Sequence, residues 1–226
     1  MNEKLTLLCA LAASLLAPAV ARGADTTELK VNGTVRPSAC VPSLASGGVI
    51  DYGTILAKDV PLGTSKVLGE RGIAFTVTCD APTKIALTAI DNKHASIVPG
   101  LIAVLSSTYT YPDNMAFGLG SVAGKNIGAY KINFSNTATA DGTSVDIITS
   151  VNNTVWATTK ISGINHFSYD GKFPKSFATP GSLTPAAFKT FNGSLLINTV
   201  LTKGSDLPLT QEIPLDGSAT IEIQYL

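Results

Sequence analysis

The sequence predicts an all-β sandwich. Apolar and polar residues alternate in short runs along most of the chain, and Gly and Pro punctuate those runs at short intervals. Beyond the N-terminal segment, no window of about eleven residues shows the apolar stripe of an amphipathic helix. Short strands separated by turns are the pattern of two packed antiparallel sheets.

The first segment stands apart from that fold. Lys4 precedes an apolar run from Leu5 to Val20, broken by Thr6, Ser14 and Pro18. The run is shorter than the roughly 20 residues a membrane span needs, and Ala19-Val20-Ala21 has the small-x-small pattern of a processing site. Residues 1–21 therefore read as a signal peptide cleaved between Ala21 and Arg22, with a cut before Ala24 as the alternative. Residues 22–226 read as one exported domain. Cleavage removes Cys9 and leaves Cys40 and Cys79, an even pair in an oxidising compartment, which predicts a disulfide. Closing a loop of about 40 residues stabilises a fold by roughly 4 kcal/mol in the chain-entropy model.

The strands are read in order. Leu29, Val31, Gly33 and Val35 alternate with Lys30, Asn32 and Thr34, which predicts a first strand ending at Pro37. Val49 to Gly53 is a short segment after a Gly47-Gly48 turn, and Pro61 to Gly72 reads as a loop. Ile73 to Cys79 alternates as a strand, Asp80-Ala81-Pro82 reads as a turn, and Ile85 to Ile90 is the next strand. Leu101 to Leu105 is apolar, and Tyr109 to Asp113 is a polar, aromatic loop. Ile127 to Phe134 alternates again, and Asp141-Gly142 has hairpin chemistry. Val145 to Ile148 and Val155 to Ile161 are further strands. Gly163 to Pro185 reads as an extended loop, with Thr184 before Pro185 placed to cap a short helical turn. Phe191 to Val200 is a long strand. Ala219, Ile221, Ile223 and Tyr225 share the core-facing side of a last strand, opposite Thr220, Glu222 and Gln224.

Charge and motifs restrict function. Lys+Arg and Asp+Glu balance at 16 each, so the chain has no long-range pull toward nucleic acid or an anionic membrane face. His94 and His166 are distant in sequence and read as loop or surface residues; no metal ligand set and no cofactor is expected. Gly118-Leu119-Gly120-Ser121-Val122-Ala123 fits a loose G-x-G-x-x-A pattern, but a strand follows it where a dinucleotide site needs a helix. It reads as a glycine-rich turn. No nucleophile elbow is present, and the chain is not read as an enzyme.

The quoted segments carry a resemblance. Val31-Asn32-Gly33-Thr34-Val35 ahead of Cys40, Val49-Ile50-Asp51-Tyr52-Gly53, Phe75 to Cys79, Ile127 to Phe134 and Ala219 to Leu226 resemble chaperone–usher pilin subunits. The Gly-Gly-x-Ile-Asp-Tyr-Gly segment, the Ala-Phe-Gly-Leu-Gly-Ser loop and the ending at Gln224-Tyr225-Leu226 are more similar to a pilin-like exported family, the GltF-like proteins (domain of unknown function 1120). The resemblance implies an immunoglobulin-like, pilin-type sandwich with a long middle insertion. It also implies a groove left by a missing strand, walled by Ala219, Ile221, Ile223 and Tyr225.

The expected function is then that of a fimbrial-type or accessory subunit in the periplasm or on the cell surface. It would act by strand complementation with a periplasmic chaperone or neighbouring pilus subunits, in a fimbrium serving cell adhesion, without membrane contact after cleavage. The alternative is a self-contained periplasmic binding sandwich whose own chain fills the groove. Only Arg22 to Glu28 precedes the expected first strand, and those residues are polar. On this reading the chain accepts a strand without giving one.

Overall fold

The computed structural model describes residues 27–35, 38–159 and 165–226. The expected signal peptide and its cleavage site lie outside these residues. The chain divides into two compact units, Met1–Arg36 and Pro37–Leu226.

In the first unit, residues 27–35 belong to no strand. Leu29, Val31 and Val35 are 88%, 90% and 101% exposed. This corrects the expected first strand. The alternation is there, but a strand also needs a partner edge, and no described strand pairs with these residues.

In the second unit the first strand is β1 (Cys40–Leu44), followed by β2 (Lys66–Thr83) and β3 (Ile85–Asp91). Next come β4 (Phe117–Gly118), β5 (Ser121–Val122), β6 (Lys125–Asn126) and β7 (Gly128–Phe134). Then follow β8 (Thr139–Ala140), β9 (Thr143–Ser144), β10 (Asp146–Ser150), β11 (Trp156–Thr158) and β12 (Lys175–Ala178). β13 (Phe188–Leu201) and β14 (Ala219–Tyr225) complete the fold. Among the described residues the helical turns are short 3-10 turns, such as Leu101–Leu105.

All strand pairs are antiparallel. One sheet runs β1-β2-β13-β7-β4, with β8 and β9 attached to β13. The other runs β11-β10-β12-β3-β14. Their facing sides meet in one core: Phe75, Val77, Phe134 and Leu195 from the first sheet, Ile85, Leu87, Ala89 and Phe177 from the second. Phe177 stacks on Phe191 at 3.8 Å between ring centres, and Phe134 meets Phe177 edge-on at 5.7 Å. These aromatic pairs add about 0.5–1.5 kcal/mol each beyond the area they bury.

Turn chemistry placed several joints correctly. Asp141 and Gly142 sit at φ 48° and 80° between β8 and β9, the double positive φ a tight hairpin requires. Gly118 to Gly124 leads through the β5–β6 hairpin, and no helix follows it.

Other joints differ from expectation. β2 starts inside the expected loop, at Lys66, and runs on through Asp80-Ala81-Pro82, the expected turn. Its partner β13 pairs along nearly the whole length and draws both ends into the sheet. The register slips between Thr199 and Val200, which oppose Gly69 and Val67, so Leu68 is an extra residue in a bulge. Gly69 takes φ +85° there. β12 lies inside the expected loop before Pro185, and Thr184 caps no helical turn.

The disulfide is present: Cys40 and Cys79 are directly opposed across β1 and β2, with an S–S distance of 1.98 Å. It ties the edge strand to the long strand at their point of closest pairing.

Candidate functional site

A groove opens between two unmatched walls. One wall is β14, the edge of its sheet, paired on one side to β3 through Ala219 to Tyr225. The other is an extended strap, residues 49–56, which joins no strand; Leu207, Leu209, Ile213 and Leu215, from the segment ahead of β14, line the groove as well. Ile73 of β2, Ile132 of β7 and Leu195, Ile197 and Leu201 of β13 form the floor. The groove has a volume of about 770 Å³. β14 pairs on one side only, the strap pairs with no strand, and the floor is apolar. That combination accepts an extended chain: backbone hydrogen bonds at the edges, alternate side chains into the floor.

The walls follow from sequence. Ile221 opposes Ala89 and Ile223 opposes Leu87, and both partners are fully buried, so alternation turns Ala219, Ile221 and Ile223 inward. Yet all three are only partly buried, although they pack on the core. On the strap, Ile50 and Ile55 pack against the same core. Tyr52 anchors it: its one hydroxyl proton is shared between the carbonyls of Gly69 at 3.2 Å and Ile197 at 3.3 Å, and Arg71 lies 5.6 Å from the ring.

Of the four wall residues expected from sequence, Ala219 and Ile221 line the groove. Ile223 packs on the core beside it. Tyr225 is 54% exposed, which corrects its expected core-facing position. Its hydroxyl accepts the Cys40 N–H at 2.9 Å, so the phenol reaches from the end of β14 to the start of β1, next to the disulfide. Sequence reading named the strap segment without giving it a role. The signal was available in Ile50 and Tyr52 between Gly48 and Gly53, with Ile55 just beyond, a run with apolar residues but no strand-length alternation.

The sequence of the groove can be matched to known proteins. A family model described as a protein of unknown function (DUF1120) matches residues 29–131, which include the strap and Ile73 of the floor. Protein GltF of Escherichia coli (strain K12) is 30% identical, over 97% of this chain and 96% of that protein. The chain belongs to the GltF-like DUF1120 family. A second relative, Uncharacterized protein YhcF of the same organism, is 27% identical over 91% of this chain and 93% of its own length.

A second feature of this DUF1120 protein is buried basic chemistry. Lys175 is fully buried on β12. Its ammonium donates to Thr149 Oγ1 at 2.9 Å and to the Phe173 carbonyl at 3.0 Å, both neutral acceptors. Burial pushes its pKa down to about 7. His166, expected on the surface, is 7% exposed and packs edge-on against Tyr111 at 4.9 Å. Desolvation first, then the charges of Lys131 and Lys175, lower its pKa to about 3, so the ring is neutral at pH 7. His94 stays at the surface and stacks on Tyr169 at 4.1 Å. Among the described residues, no three His, Cys, Asp or Glu side chains come together as metal ligands. No helix among them is long and apolar enough to cross a membrane.

Proposed function

We propose that this chain is an exported, pilin-like subunit, an immunoglobulin-like sandwich short of one strand, that works by strand complementation. The groove takes an extended apolar strand from another chain, a periplasmic chaperone first and a neighbouring subunit afterwards. One observation supports the reading: an apolar groove is lined by the start of the edge strand β14, by the segment that leads into it and by a strap with no strand partner. An edge of that kind invites pairing, and most proteins cover or blunt it.

The same chain supplies a strand that fits. Leu29 to Val35 is unpaired and exposed, with Leu29, Val31 and Val35 on one side and Gly33 between them. Fully extended, it spans about 20 Å, the length of the seven-residue β14. Burying one Leu and two Val stabilises by roughly 5–9 kcal/mol before the costs of ordering and association. This revises the expectation that the chain accepts a strand without giving one. The donor is the segment that sequence alternation alone assigned to the sandwich.

Size measurement of the exported mature chain tests the reading. Wild type should form dimers and longer head-to-tail chains as concentration rises. A variant with Leu29→Asp and Val31→Asp should keep the wild-type melting temperature, because those residues lie outside the folded sheets. It should be monomeric alone, yet bind one wild-type copy through its intact groove. A wild-type chain that stays monomeric at every concentration would contradict the reading and favour a self-contained binding sandwich.

A further inference from the structure

The floor of the groove is largely covered. Ile73, Ile132, Ile197 and Leu201 on its floor are 7%, 5%, 9% and 4% exposed. A side chain seated deep on this floor is best accommodated if a wall gives way. The β14 wall is held by a ladder of seven residue pairs to β3. The strap is held quite differently. From Ala45 to Asp59, among the described residues, the hydrogen bonds to other parts of the fold pass through Tyr52, apart from the turn bond of the adjoining Val60 N–H to the Ala57 carbonyl. The rest are local: Val49 N–H to the Ser46 carbonyl, Gly53 N–H to Asp51 Oδ1, Asp59 N–H to the Leu56 carbonyl. A wall held by the packing of Ile50 and Ile55 and by one hydroxyl gives way more readily than one held by a ladder.

The strap also has a hinge. Ser46, Gly47 and Gly48 take φ of 49°, 64° and 82°, a left-handed stretch that glycine adopts at little cost. At its far end the chain is fixed again, where Gly204 N–H donates to the Pro61 carbonyl at 2.7 Å. The latch has its own receiver. The bulge at Leu68 turns Gly69 out of regular register, and its carbonyl accepts the Tyr52 hydroxyl.

We propose that Tyr52 is the latch that controls strand entry, holding the strap over the empty groove until an incoming strand displaces it. This rests on the strand-complementation reading and names the residue that sets its rate. With the hydroxyl released, the strap swings about Ser46–Gly48. The floor opens, and the strap's free backbone groups pair with the incoming strand, so that the newcomer is bonded on both sides. Arg71 over the ring steadies the closed position.

The test uses the full mature chain and Tyr52→Phe, which keeps the ring and removes the latch. Nitroxide labels at Thr54→Cys on the strap and Glu222→Cys on β14, both exposed positions, report the groove width by pulsed electron resonance. The parent should give one narrow distance distribution, and Tyr52→Phe should add a longer, broad population. Uptake of a labelled synthetic peptide spanning Thr27 to Val35 should be about tenfold faster in Tyr52→Phe, with the melting temperature nearly unchanged. Arg71→Ala, which keeps the hydroxyl, should shift both readouts less. Identical distance distributions in parent and Tyr52→Phe would overturn the latch. So would a widened groove with unchanged peptide uptake. If the parent groove never takes the peptide, strand complementation itself fails, while the distance measurement still decides whether Tyr52 holds the strap.

Discussion

Replacing Ile221 or Ile223 by Asp should abolish accumulation of folded protein. Both side chains pack on the core from the inner face of β14, and their opposite partners Ala89 and Leu87 are fully buried. Full burial of an Ile is worth about 1.5–3 kcal/mol, and these partly buried side chains contribute a share of it. A carboxylate in its place has no cation opposite it and adds a desolvation cost of several kcal/mol. Together these approach the whole stability of an ordinary domain, about 5–15 kcal/mol. Glu222 points the other way and is exposed, so Glu222→Lys should be tolerated. Exported yield and protease resistance, compared across the three variants, check this. If both Ile→Asp chains fold as well as the parent, the inner face of β14 is misassigned.

Lys175 is expected to act in the opposite direction. Its buried ammonium has neutral acceptors only, and its folded pKa of about 7 lies far below the roughly 10.4 of an unfolded lysine. Between those values the unfolded chain binds more protons than the folded one. Stability therefore rises with pH from about 7 to about 10, and the full penalty is present below 7. The penalty is on the order of 4 kcal/mol. Lys175→Met keeps the stem that fills the space and removes the charge. It should be more stable than the parent at pH 7, with the difference shrinking toward pH 10. His166 sets the acid limb. Its folded pKa is depressed to about 3, so the stability it contributes is lost as pH falls from about 6.5 toward 3. Denaturant unfolding of parent and Lys175→Met at several pH values checks the sign. A constant gap between the two from pH 7 to 10 would show that Lys175 does not titrate in the fold.

Much of the fold was legible because it rests on local rules. Period-two alternation placed Ile85 to Ile90, Ile127 to Phe134 and the last strand, and Asp141-Gly142 placed its hairpin. Cysteine arithmetic gave the disulfide. What was not legible depends on partners distant in sequence. Lys66 to Gly72 carries charges and glycines and looks like loop, and it is a strand because β13 lies beside it. β12 is only four residues long, too short for a periodic signal, and is held between β10 and β3. Leu29 to Val35 shows the reverse failure. Its alternation is real, but alternation reports a face ready for burial and not the chain that will bury it. The groove walls were half legible for a similar reason. Ala219 and Ile221 follow from alternation, whereas Tyr52 earns its place through the carbonyls of Gly69 and Ile197, which the bulge and the sheet bring to it.

The central claim is that Leu29 to Val35 of one copy seats in the groove of another. A photo-crosslinking phenylalanine derivative at Val31, incorporated in the exported chain, tests it most directly. Irradiation followed by mass spectrometry of the adducts should give dimers and larger species, with Val31 joined to groove residues such as Ile132, Ile197 or Ile221 of a second copy. Adducts confined to the same chain, or none at all in a folded, disulfide-bonded protein, would contradict the account.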